Sequence, residues 1–347
     1  MSQAAESATP DIKNVVQTIL DGIERERERE IISRRFGLFD RKETLEQIGE
    51  LLGITRERVR QLEKAILIRL KIAAEEGRLE LETVERYLVE QLHELGRAAK
   101  LSDLTERVIP GGTDRDRAHV GFVAELAPKL SVLSENDHYH HGVALAEYHD
   151  EKQLKKRVDE VVKTIKEHGQ TLTAAELHAK LSYEHPDHVR ALASLSKGLA
   201  SLRDIWGLTK WPTVNPKNIR DKIYVILQDH AKPMHFSDIA GAIKDSDFKR
   251  KDVTTQAIHN ELIKDKRFVL IGRGIYALNE WGYKKGTVAD IITEVLKKAG
   301  EPLHRDEIVK RVLKDRHVKE TTILLNLQSK PEFKRVAKAT YSLAEAK

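Results

Sequence analysis

Four short segments of this chain repeat one pattern, and that repetition limits its fold more than any other feature. AKLSDL (99–104), LTAAEL (172–177), MHFSDI (234–239) and LHRDEI (303–308) each place an apolar or small residue five positions ahead of Leu or Ile. Their starts lie 73, 62 and 69 residues apart. Upstream of each, apolar residues at helical spacing predict an amphipathic helix, at Val84–Leu95, Val158–His168, Ile219–His230 and Val288–Ala299. Downstream come a second helical stretch and a hairpin-like end: GVALAEY (142–148), WGLTKW (206–211), GRGIYALNEW (272–281) and ATYSLAE (339–345). Internal repetition of this length means modules stacked or strung in series.

Helix, short strand, helix, helix and hairpin together make a winged-helix unit. The predicted fold is therefore mainly α, with about four tandem winged helices at 77–150, 151–214, 215–284 and 285–347. Ahead of them stand a small polar tail (1–11), read as disordered, and a separate helical domain at 12–76. WPTVNP (211–216) reads as the clearest linker, WGYKKG (281–286) as the break between the last two repeats, and EEGRLELE (75–82) as a hinge. The run ERERERE (24–30) reads as a solvated helix face of alternating charge.

The helical domain carries the functional signal. Residues 44–70 read TLEQIGELLGITRERVRQLEKAILIRL. Leu45, Ile48, Leu51 and Leu52 stand at helical spacing, Gly53 breaks the helix, Ile54 plugs the corner and Thr55 can cap a second helix. That helix is expected to bury Val59, Leu62, Ile66 and Leu70 and to present Arg56, Glu57, Arg60 and Gln61 on its other side. Two helices about a glycine-containing turn, with arginines opening the second, form a helix-turn-helix, whose second helix enters the major groove. Arginine can grip guanine bidentately, glutamate accepts from cytosine and glutamine pairs with adenine. Ten Lys or Arg against six Asp or Glu in residues 31–72 concentrate most of the chain's net charge of +5 there, as a phosphate-binding surface requires.

RRFGL (34–38) followed by TLEQIGELLGITRERVRQLE resembles region four of sigma-70-type factors, the domain that reads the −35 promoter element. VVQTILDGIERERERE, continuing to residue 38, is similar to the upstream half of the same domain. The resemblance spans about residues 12–72. It implies that Arg56, Glu57, Arg60 and Gln61 read bases, that Thr44 and Arg58 lie near phosphates, and that Thr55 and Lys64 complete the DNA-facing set. It also implies double-stranded DNA and bacterial RNA polymerase as partners.

The third repeat, NIRDKIYVILQDHAKPMHFSDIAGAI (218–243) with KDKRFVLIGRGIYALNEWG (264–282), resembles the HARE-type winged helix of the RNA polymerase delta subunit, chromatin proteins and some restriction enzymes. The fourth is similar but lacks the Trp after the hairpin. This resemblance implies an accessory module, with Thr255, Gln256, His259 and Asn260 on the recognition helix and Arg273 on the wing as secondary nucleic-acid contacts.

Several function classes drop out. The absence of cysteine excludes disulfides, thiolate nucleophiles and cysteine-ligated zinc. No GxxxxGK[ST] loop or HExxH is present. Asp137, His138, His140 and His141 (DHYHH) are the one metal-like cluster, and they read better as a polar wing tip. We therefore expect no enzyme, no cofactor, no metal and no small-molecule substrate. No apolar run can span a bilayer and the first ten residues lack a signal-peptide pattern, so the expected location is the cytoplasm with no membrane contact. The expectation is a transcription-associated DNA-binding protein that modulates initiation. Two alternatives stand beside it: a non-catalytic polymerase-binding scaffold, and the DNA-reading subunit of a restriction or modification system.

Overall fold

A computed structural model describes residues 10–248 and 252–344, so most of the expected tail lies outside the described residues. They form two compact units, 1–209 and 210–347 by chain position. The first opens with α1 (Ile12–Asp21), α2 (Glu26–Phe36), α3 (Leu45–Leu52) and α4 (Arg56–Glu75). A first winged helix follows: α5 (Glu82–Glu94), β1 (Ala98–Lys100), α6 (Leu101–Val108), α7 (Asp114–Leu126), β2 (Leu130–Leu133) and β3 (Gly142–Leu145). The second comprises α8 (Glu151–His168), β4 (Leu172–Thr173), α9 (Ala174–Leu181), α10 (Pro186–Leu195), β5 (Leu199–Leu202) and β6 (Ile205–Leu208).

The other unit holds two more. One runs α11 (Ile219–His230), β7 (Met234–His235), α12 (Phe236–Asp245), α13 (Thr255–Lys264), β8 (Phe268–Gly272) and β9 (Ile275–Leu278). The last runs α14 (Val288–Ala299), β10 (Leu303–His304), α15 (Arg305–Asp315), α16 (Glu320–Ser329), β11 (Phe333–Ala337) and β12 (Thr340–Leu343). The fold is mainly α with small antiparallel sheets. Each sheet has the same order, first strand–third–second: β1-β3-β2, β4-β6-β5, β7-β9-β8 and β10-β12-β11. Each repeated segment seen in the sequence is thus a short strand running directly into the module's second helix.

Local chemistry explains the boundaries. Thr113 with Asp116, Asp150 with Gln153, Thr173 with Glu176, and Thr287 with Asp290 close capping boxes at the starts of α7, α8, α9 and α14. The box at Asp150 starts α8 seven residues before the expected Val158, adding Leu154 to its buried stripe. In each hairpin end singled out above, only the closing strand lies where expected. The opening strands β2, β5, β8 and β11 begin further upstream.

Three sequence expectations are corrected. The 75–82 segment is fastened rather than hinged: Leu81 is buried in the main core and Leu79 packs against it. The ERERERE run is only partly solvated. Glu28 is buried, and Arg69 and Arg25 bind its carboxylate at 2.5 and 3.3 Å. The hydrogen bond from Arg69 holds that carboxyl below the usual range against the opposing effect of burial. Third, Leu62 is half-buried, not fully buried like Val59, Ile66 and Leu70.

The helices of 12–76 and the first winged helix share one core. Ile12, Val16, Leu20, Ile32, Leu38 and Ile66 cluster with Leu88, Leu104, Val120, Phe122, Val123 and Leu126. Phe36 meets Phe122 edge-on, ring centroids 4.9 Å apart. Helix α7 buries seven of its thirteen residues, so its apolar surface runs round the cylinder.

Candidate nucleic-acid interface

The helix-turn-helix has a small core of its own. Ile31, Ile48 and Val59 are fully buried, with Leu45, Leu52, Ile54 and Leu62 packed on them. Thr44 caps α3 through a capping box with Gln47. Gly53 ends α3 in the left-handed region (φ 63°), a conformation glycine adopts without strain. Thr55 caps α4 by accepting from the Arg58 backbone N–H. Thr44 and Thr55, both in the predicted DNA-facing set, therefore use their hydroxyls to cap the two helices.

Gly49 is the second glycine the turn requires. A Cβ there would lie 2.7 Å from the Ile54 carbonyl oxygen, a backbone atom that cannot swing aside. Alanine gains up to about 1 kcal/mol over glycine in a helix interior, but overpacking costs about 1–3 kcal/mol. The clash is the larger effect. Gly49→Ala should lower the denaturation midpoint of the first unit, and a raised midpoint in urea would show that the turn can open without penalty.

On the outward side of α4, Arg56, Glu57, Arg58, Arg60, Gln61 and Lys64 are all exposed. Arg60 forks onto both oxygens of Glu57, at 2.7 and 2.9 Å. This pair holds the Glu57 carboxyl below its ordinary range. Arg58 donates to Gln61 at 3.3 Å. Arg56 and Lys64 make no ion pair among the described residues. Solvated ion pairs are weak, so the Arg60–Glu57 fork can be exchanged for base edges: guanine for Arg60, cytosine for Glu57.

Four other cations of this region have structural partners. Arg34 pairs with Glu43 and Glu30, Arg35 with Glu63, Arg69 with Glu28, and Lys71 with Glu125 of α7. Only part of the positive charge counted in the sequence is therefore available to phosphates. Arg41 and Lys42, exposed just before the α3 cap, belong to that available part.

The second candidate set lies on α13. Thr255, Gln256 and Asn260 are exposed, with Gln256 donating to Asn260 at 3.1 Å. His259 is half-buried between Phe236 and Tyr276, at centroid distances of 4.9 and 6.2 Å. Arg273 is exposed in the tight turn between β8 and β9.

The DHYHH cluster lies in the loop between β2 and β3. It fastens the first winged helix to the second: His140 N–H donates to Leu195 O, and the Tyr139 hydroxyl to Asp159 at 2.7 Å. Burial lowers the pKa of both His140 and His141. Among the described residues, no three His, Cys, Asp or Glu side chains are placed to hold a metal ion. No described helix is long and apolar enough to cross a membrane.

Residues 25–71 match the family model of sigma-70, region 4. This segment is a sigma region 4 helix-turn-helix. The chain is 44% identical over 63 residues to the RNA polymerase sigma factor RpoD of Helicobacter pylori, an alignment covering 18% of this chain and 9% of that protein. It is 41% identical over 69 residues to the sigma factor SigA of a Bacillus species, covering 20% of this chain and 18% of the relative. Arabidopsis thaliana sigma factor sigB is 42% identical over 66 residues, covering 19% and 11%. The chain therefore spans less than a fifth of the length of these relatives. The likeness supports a DNA-binding, transcription-related role for this segment.

Proposed function

We propose that this protein reads duplex promoter-type DNA through α4 and modulates initiation by RNA polymerase, without catalysis of its own. One observation carries the reading. In a segment matching sigma region 4, the outward face of α4 keeps Arg56, Glu57, Arg60, Gln61 and Lys64 exposed, while the opposite face is buried. The winged helices serve as accessory modules, the third by its HARE-type resemblance with Thr255, Gln256, Asn260 and Arg273 as its outer contacts.

Arg56 and Arg60 lie about one helical turn apart and can reach a single groove. Arg56→Ala or Arg60→Ala should weaken binding to −35-type DNA by about 5- to 150-fold, the worth of one bidentate base contact, and relax discrimination. Affinities of the full chain for preferred and scrambled duplexes at fixed salt test this. Equal losses on both would leave phosphate contact alone and defeat base readout. Unchanged DNA binding, with retained capture of core polymerase, would favour the scaffold alternative.

A further inference from the structure

The four winged helices differ in what their outer surfaces can still reach. In the first, the recognition helix α7 is buried from His119 to Ala124 in the core shared with the sigma region 4 helices, and stays exposed at Asp114, Arg115 and Arg117 of its N-terminal end. In the second, α10 lies against the first module so closely that a Cβ on Gly96 would sit 2.3 Å from the Asp187 carbonyl oxygen. Its wing tip is neutralised by an Arg190–Asp204 pair at 2.9 Å. In the third, the wing is covered on one face: Val269, Ile271 and Ala277 pack with Trp281 and Tyr283. The fourth module holds the same hairpin, with His317 N–H donating to Ile271 O and Arg316 to Leu270 O at 2.7 Å.

The fourth wing is different. Strand β11 lies at the sheet edge, and after buried Phe333 its residues Lys334, Arg335, Val336 and Ala337 are all exposed. Lys338 is exposed at the turn and Lys330 just ahead of the strand. None of these four cations makes an ion pair among the described residues, and Glu332 is the only acid from 330 to 338. We propose that this wing, through Lys334, Arg335 and Lys338, is a second duplex-DNA contact that grips the phosphate backbone. A polyanion of regular charge spacing complements an unpaired cationic hairpin, and binding is driven by counterion release. The site adds affinity without sequence preference, since Lys334, Arg335 and Lys338 are spent on phosphates, which carry no sequence information, rather than on base edges. It stands apart from the helix-turn-helix reading and does not depend on it.

The test compares the full chain with Lys334→Gln/Arg335→Gln/Lys338→Gln, first checking that both melt alike. The probe is a random-sequence 40-base-pair duplex, titrated over a range of salt. Each phosphate contact contributes about 0.9 to the slope of log K against log salt. The variant should show a slope shallower by about 2–3 and weaker binding to random and preferred duplexes by the same factor. An unchanged slope overturns the proposal. Loss of core-polymerase capture with DNA binding intact also overturns it, making the wing a protein-docking surface. Arg56→Ala/Arg60→Ala is run in parallel and reports only the preferred-to-random ratio, so failure of the helix-turn-helix reading is seen separately.

Discussion

Phe122→Ala should cost the first unit about 3–5 kcal/mol and weaken DNA binding by the helix-turn-helix, although Phe122 lies outside it in sequence. The side chain is fully buried and meets Phe36 of α2 across the shared core. Truncation leaves a cavity where α1, α2 and α4 meet α7, and interiors packed at crystal density relax only partly around such a void. Two polar links sit at the same seam: a His119 ring nitrogen 2.9 Å from Leu38 O, and Lys71 Nζ 2.6 Å from Glu125. The stripe of α1 (Ile12, Val16, Ile19, Leu20) has the first winged helix as its cover. Cut at residue 76, the domain would expose that stripe. Residues 12–76 alone should melt without cooperativity, whereas 12–209 should unfold in one transition. Circular dichroism during urea titration, followed by duplex-binding measurements on Phe122→Ala, checks both. A normal midpoint and normal affinity in the variant would mean that the two modules are energetically independent.

The second large effect concerns initiation. Core RNA polymerase supplied with this protein alone should yield essentially no transcript from a linear promoter. A holoenzyme that already contains a complete sigma factor should change its output when the protein is added. Holding a separated strand needs exposed aromatic platforms, each worth about 1–3 kcal/mol per stacked base. Among the described residues, only two aromatics stand out as well exposed, Phe39 and Tyr148, and the Arg97 guanidinium already covers Tyr148 at 3.9 Å. Trp206 is buried, and Trp211 and Trp281 are half-buried. A single Phe39 is too little to stabilise open DNA. Run-off transcription decides the matter: strong product from core enzyme plus this protein would make it a self-sufficient initiation factor.

Much of the molecule was legible from local signals. Helix α11 and helix α14 match their expected spans residue for residue, because apolar spacing, an N-cap and a C-terminal stop all lie within a few residues of one another. The helix-turn-helix was equally readable from Gly53, Thr55 and the alternation of apolar and charged positions. Fold class, module order and the face of α4 that looks outward were therefore determined by the sequence itself.

What remained hidden depends on partners distant in the chain. Arg35 is bound by Glu63, 28 positions away, and Arg69 by Glu28, 41 positions away, so no count of charges could tell paired arginines from available ones. Leu62 fell on the expected apolar stripe but sits where the small turn core meets the shared one, which leaves it half-buried. VGFVAEL (120–126) in α7 is buried on several sides, by surfaces that no local pattern names. Only tertiary structure decided that α7 closes the sigma region 4 core, that the DHYHH loop binds the next module, and that Lys334, Arg335 and Lys338 of the fourth wing make no ion pair among the described residues. Periodicity and caps act over one or two helical turns, whereas burial and charge neutralisation are settled by whichever surface the chain folds against them.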